Sequence, residues 1–328
     1  MTLNNIWILT KAAASSWVDD YAQSMGAALA YYTMFSIAPL LLIVISVAGL
    51  IFGVEAARGE IVGQLQGLMG QQGAAAVQGL LESASKPAKS VSATLVGGIL
   101  LLIGATSVFA ELQDALDRIW RAPKRQKGGI WSLLRARMLS FGMIISIGFL
   151  LMVSLVVSAA LAALGKLWGP HFAEWEILAN VVNFLFSFAL TTTVFAMIYK
   201  IMPRVNVDWA DVWIGAGVTA LLFTVGKSLI GFYIGKSGVT SGFGAAGSLV
   251  VSLVWVYYSA QIFLMGAEFT WAYALTFGSR REQPVPPAAP AVPSQTTKRK
   301  PDAHLVEAKQ AAKEENLGKK NATRGDKP

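Results

Sequence analysis

The chain has 328 residues, 54% of them hydrophobic and 14% charged, with a net charge of +8. A soluble domain carries about twice that charged share, so most soluble chemistry is excluded before any motif is read. With no cysteine and two distant histidines, neither a disulfide framework nor a thiolate or histidine-cluster metal site is available.

Residues 1–26 carry Asp19 and Asp20 and no short apolar run ending in a cleavage site. They are expected to remain as a cytoplasmic or interfacial helix rather than to be removed as a signal peptide. Six apolar stretches follow, at 27–52, 91–109, 138–164, 179–199, 212–234 and 248–274. At about 1.5 Å per residue each can cross the roughly 30 Å hydrocarbon core of a bilayer. The expected fold is all-α, a six-transmembrane-helix bundle over 27–275. Segments on the side of the termini hold 21 of the 27 Lys and Arg, those on the other side hold 5, and Lys227 lies within a span. Positive residues favour the cytoplasm, which predicts cytoplasmic N- and C-termini. The same charge implies affinity for anionic lipid head groups; with no aromatic-interleaved basic groove, nucleic acid is not an expected partner.

Between the first two spans, 54–90 is polar enough to leave the membrane. Leu65, Leu68, Met69, Val77, Leu80 and Leu81 recur at helical intervals, Gly70 and Gly73 interrupt the run and Pro87 ends it, which predicts two short amphipathic helices on the outer side. After the last span, Pro284, Pro286, Pro287, Pro290 and Pro293 begin a solvated extension. Residues 276–328 are expected to form a disordered basic tail with at most a weak helix near 302–316.

Three separated motifs carry a resemblance: Gly26–Leu41 with Tyr31, Tyr32, Ser36 and Pro39; Leu116-Asp117-Arg118-Ile119-Trp120; and Gly244–Gly247 with Trp255–Phe269. Over about residues 5–275 the chain resembles the YihY/BrkB family of bacterial inner-membrane proteins, differing at Asp117, where the family pattern has asparagine. The resemblance implies six spans with cytoplasmic termini and the family names virulence factor and, formerly, ribonuclease BN. It implies no established activity. Hydrolysis of RNA by bound metal needs clustered His, Asp or Glu ligands, whereas Glu111, Asp114, Asp117, Asp208 and Asp211 read as a solvated face, with Asp114 and Arg118 in favourable i,i+4 order. No metal, no cofactor and no enzymatic activity are expected. The glycine-lysine-serine triplets at 226 and 235 lack the earlier glycine of a phosphate loop, and neither follows a strand.

Polar residues inside the spans are the candidate site. Asn180, Asn183, Ser187 and Thr191 line one face of the fourth span, Tyr257, Gln261 and Glu268 one face of the sixth. Lys227 shares a face of the fifth with Ala216, Ala220, Phe223 and Gly231, and a charge at that depth is expected to meet water, a carbonyl or an acid such as Glu268. The group predicts an intramembrane polar cleft in a transporter or lipid-handling protein. Interhelical hydrogen bonding in a non-catalytic envelope scaffold accounts for the same residues. Gly242, Gly244 and Gly247 open the sixth span, either as an anion-binding loop or as a tight turn. Pro39 is expected to kink the first span by removing the bond to the Phe35 carbonyl. The solute, energy source and any homo-oligomer are not legible.

Overall fold

The computed structural model describes residues 3–85, 107–123, 142, 175–236, 247–283 and 306–314. Among these, all regular secondary structure is helical. The elements are α1 (Leu3–Asp19), α2 (Ala22–Phe52), α3 (Val54–Ser85), α4 (107–119), α5 (Trp175–Ile201), α6 (Trp209–Lys236), α7 (Gly247–Thr276) and α8 (306–314). Helices α5, α6 and α7 are each long and apolar enough to cross a bilayer, over Val181–Ile201, Trp209–Ile234 and Leu249–Thr276. Helix α2 meets the same criterion only as a pair of segments, Ala22–Ala38 and Leu40–Leu50, bent by 41° to each other. The bend falls at Pro39, where an amide donor is missing from the helix ladder. The second and third expected spans lie almost wholly outside the described residues.

Helix α7 is the hub, packing against α1, α2, α3 and α6, and 39% of its most apolar window is buried against 11% of that of α5. The main core is concentrated at the end of the bundle where α1, α4 and the last turn of α7 meet. There Leu9, Leu116, Ile119, Trp120, Tyr199, Leu264 and Trp271 are buried together. Toward the other end the core dwindles to Ile230, Ile234 and Val251 with Val254, Trp255 and Tyr258.

The segment after α2, expected to form two short helices, is a single helical element, α3. Gly53, at φ +84°, closes α2 by donating to the Gly49 carbonyl at 3.0 Å, a conformation open to glycine at no steric cost. Although α3 is helical throughout, Arg58 and Glu82 form an ion pair at 3.7 Å. In a straight helix those positions would stand about 36 Å apart, so the chain doubles back between them. Gly70 is the midpoint of that interval.

Of the last fifty residues, α8 falls within 302–316, where a weak helix is expected, and it buries more than a solvated tail would. Beyond α7 the chain continues in ordered turns to Gln283, and α8 buries Ala308 and Ala312, Ala308 within the main core. Lys309 of α8 donates to the Gln283 carbonyl. A tail expected to bury no apolar surface thus docks through two alanines one turn apart.

Candidate functional site

The end of the bundle near the termini is closed by a charged network. Asp20 and Arg121 form a buried ion pair at 2.6 Å, with side-chain exposures of 0% and 5%. Each is at or beside a left-handed residue, Tyr21 at φ 57° and Arg121 at φ 52°. Left-handed backbone costs a non-glycine residue about 1–2 kcal/mol, and the ion pair holds both turns in place. Arg204, in the α5–α6 connection, bridges Asp117 at 3.2 Å and Asp114 at 3.6 Å, and its amide donates to Asp117 at 2.8 Å. The partner of Asp114 is therefore Arg204 rather than the expected Arg118. Asp211 accepts from the Ser279 amide at 3.0 Å and hydroxyl at 2.7 Å. Arg280 lies over Trp120 and Trp271 at 5.5 and 5.9 Å and donates to the Asn206 carbonyl. Desolvation lowers the guanidinium's proton affinity, while Asp211 and Asp208 pull it back up. Lys200 caps α5 on the Val207 carbonyl and lies over Trp209 at 5.5 Å.

Above this seal α5 and α6 are pinned together. The Tyr199 hydroxyl donates to the Phe263 carbonyl at 2.7 Å and stands 3.1 Å from Thr219 Oγ1. One turn on, Phe195 meets Phe223 edge-on at 5.7 Å. At 100° per residue, Ala216, Ala220, Phe223 and Lys227 fall on one side of α6, the side that meets α5. Along that side burial is lost step by step: Ala216 and Ala220 are buried, Phe223 is half-buried, and Lys227 and Gly231 are exposed. Helix α5 ceases to cover α6 at Lys227. The Tyr199–Thr219 and Phe195–Phe223 pairs set an antiparallel register that puts Thr191 at the depth of Lys227. Thr191 is half-buried, and its hydroxyl donates to the Ser187 carbonyl at 2.8 Å. Ser187 and Asn183 continue along α5 as exposed residues among exposed Val181, Phe184 and Leu185. Of Asn180 only the helical backbone is described.

The bilayer boundaries can be read from exposed aromatic rings. Trp209 and Trp213 are exposed at the start of α6 and Tyr233 near its end; such amphipathic rings favour the head-group level. From Trp213 to Tyr233 is about 30 Å of helix, the thickness of the hydrocarbon core. Lys227 then lies about 9 Å inside the far boundary.

The polar face of α7 points elsewhere. Gly266 touches α6, since a β-carbon there would meet Thr219 and Tyr199. Tyr257, Gln261 and Glu268 lie about 140–180° around α7 from Gly266. Gln261 packs instead on Gly26 of α2, its amide 3.4 Å from the Gln23 carbonyl. Glu268 is fully buried, Tyr257 is partly exposed, and among the described residues Lys227 makes no ion pair. Lys227 and Glu268, one of the pairings open to Lys227, do not pair: Glu268 faces away from α6, and the Gly215–Thr270 and Thr219–Gly266 contacts put it about 15 Å along the bundle from Lys227. Gly247 begins α7 and is buried; Gly242 and Gly244 lie outside the described residues. The α2–α7 contact through Gln261 and the Asp20–Arg121 pair were not legible from local spacing.

Comparison with known proteins agrees with this architecture. The family model for virulence factor BrkB matches residues 13–290. The chain is 27% identical over 260 residues to a UPF0761 membrane protein of Acinetobacter baylyi, covering 78% of this chain and 59% of that protein. It is 27% identical over 256 residues to one from Pseudomonas aeruginosa (77% and 60%), and 26% identical over 278 residues to one from Alcanivorax borkumensis (81% and 60%). The chain thus spans less than two thirds of the length of these relatives. No solved structure matches it. All-helical among its described residues, membrane-spanning and matched over most of its length, the chain belongs to the virulence factor BrkB family.

Proposed function

We propose that this membrane protein moves an amphipathic molecule between the leaflets, or across the bilayer, along the cleft between the far halves of α5 and α6. The observation that carries this reading is the exposure of Lys227 on the α5-facing side of α6, within the hydrocarbon, directly beyond the point where the aromatic packing ends. A lysine facing hydrocarbon is disfavoured by about 2.5 kcal/mol or more; a wetted or ligand-filled cleft removes that penalty. The charged network ties α5 and α6 together at the opposite end, near termini that we place in the cytoplasm, and we accordingly assign entry to the cleft to the outer side. In this reading movement is passive, gradient-driven or coupled to a partner.

The test is reconstitution of the full chain in liposomes with a fluorescent lipid and with anionic solutes. Accelerated exchange or flux, reduced by Lys227→Met in proportion to folded protein, is the expected result. No acceleration for any of these under any gradient sinks the reading.

A further inference from the structure

Resting on that reading, we propose that Lys227 is the seat of a phosphate group, supplied by a phospholipid whose head is drawn into the cleft from the outer leaflet. The backbone of Lys227 lies about 9 Å inside the boundary marked by Tyr233, while the bilayer's densest store of anionic oxygens lies at the head-group level just above. A lysine stem can raise its charge toward that level, and head groups can dip to meet it. The surroundings favour an incoming ligand over an internal partner. Lys227 makes no ion pair among the described residues, and the acid of α7 faces the other way. On one flank Gly226 leaves room for the Tyr258 ring, whose hydroxyl oxygen lies 3.5 Å from where a glycine β-carbon would stand. The exposed Ser228 follows on the helix, its hydroxyl bonding weakly at 3.5 Å to the Thr224 carbonyl. The cleft therefore offers one cation with hydroxyls nearby, a donor-rich setting suited to a phosphate.

The experiment is thermal stabilisation of the purified full chain in detergent. Three probes are added separately: phosphatidylglycerol, a phosphate-free glycosyl diacylglycerol with the same acyl chains, and inorganic phosphate. Each is measured on the natural chain and on Lys227→Met, Lys227→Gln and Lys227→Arg. The expected result is a larger rise in Tm with phosphatidylglycerol than with the glycolipid, at least half of the difference being lost in Lys227→Met and Lys227→Gln and kept in Lys227→Arg. Retention of the whole difference in the neutral variants overturns the proposal, as does equal stabilisation by the two lipids. If inorganic phosphate alone reproduces the Lys227-dependent rise, the phosphate site stands with a free anion as its source and the lipid assignment falls. Should Lys227→Met not fold, Lys227→Gln provides the comparison. The same variants in the liposome assay separate the two claims. Unchanged transfer with a lost lipid effect leaves the phosphate site standing and sinks the transfer role, whereas impaired transfer with an intact lipid effect does the reverse.

Discussion

Thr270 of α7 occupies the space that a β-carbon on Gly215 of α6 would need, and Thr219 of α6 does the same to Gly266 of α7. The two Gly-x-x-x-Thr segments run antiparallel and exchange knobs, bringing the helix backbones into close approach. Each threonine hydroxyl is satisfied within its own helix, Thr219 on the Gly215 carbonyl and Thr270 on the Gly266 carbonyl, both at 2.7 Å. Gly215→Ala and Gly266→Ala are expected to destabilise by about 1–3 kcal/mol or more through overpacking. Gly217 has nothing within 4 Å of the same position, so Gly217→Ala gains up to about 1 kcal/mol of helix propensity. Thermal unfolding in detergent compares the three; similar losses at all three positions would argue against the crossing.

Removing one partner of the buried Asp20–Arg121 pair strands the other charge. Asp20→Ala is expected to cost about 3–5 kcal/mol, and Asp20→Ala with Arg121→Met together much less. A double variant as unstable as the sum of the two single ones would show that the charges act independently.

Deleting 302–328 removes α8, and with it the burial of Ala308 and Ala312. A measurable fall in Tm follows from docking; an unchanged Tm would mean that the contact contributes no stability. Ala308→Arg is a milder probe of the same contact, since the added side chain has no room beside the core.

Burial raises the carboxyl pKa of Glu111, with Asp114 reinforcing the rise and Arg118 opposing it. The protonated form is the one the fold favours, so this group's contribution is fully present below the ordinary carboxylate range and is lost as pH rises through the elevated folded value. Glu111→Gln should raise Tm at pH 7.5 and weaken the gain in stability otherwise seen on mild acidification. A parallel shift of the whole pH–Tm curve would place the titration elsewhere.

Cysteines in this cysteine-free chain test its orientation. A cysteine at Glu55, beyond α2, is expected to react with an impermeant thiol reagent in intact cells, and one at Glu282 is not. Labelling of the second would reverse the side assigned to the termini.

The fourth, fifth and sixth expected spans and the bend at Pro39 were legible because each follows from local composition: apolar length and a missing amide. The wheel position of Lys227 was legible for the same reason. Its neighbours were not, because they depend on which way α7 turns its polar face, and Gly26, which admits Gln261 of a distant helix, shows no local sign of doing so. The Asp20–Arg121 pair joins positions 101 residues apart. The docking of α8 rests on two alanines, a signal indistinguishable in the sequence from ordinary helix filler. Arg204 as the partner of Asp114 arises where the α5–α6 connection passes α4, a tertiary fact that i,i+4 spacing does not contain.

The Arg58–Glu82 contact has a topological consequence. Because positions 58 and 82 are held together, the stretches of α3 on either side of Gly70 are coupled in length: whole turns added to one must be matched in the other for the ion pair to survive. Helix α3 also packs against α2 and α7, so an unmatched insertion would disturb those contacts as well as the pair.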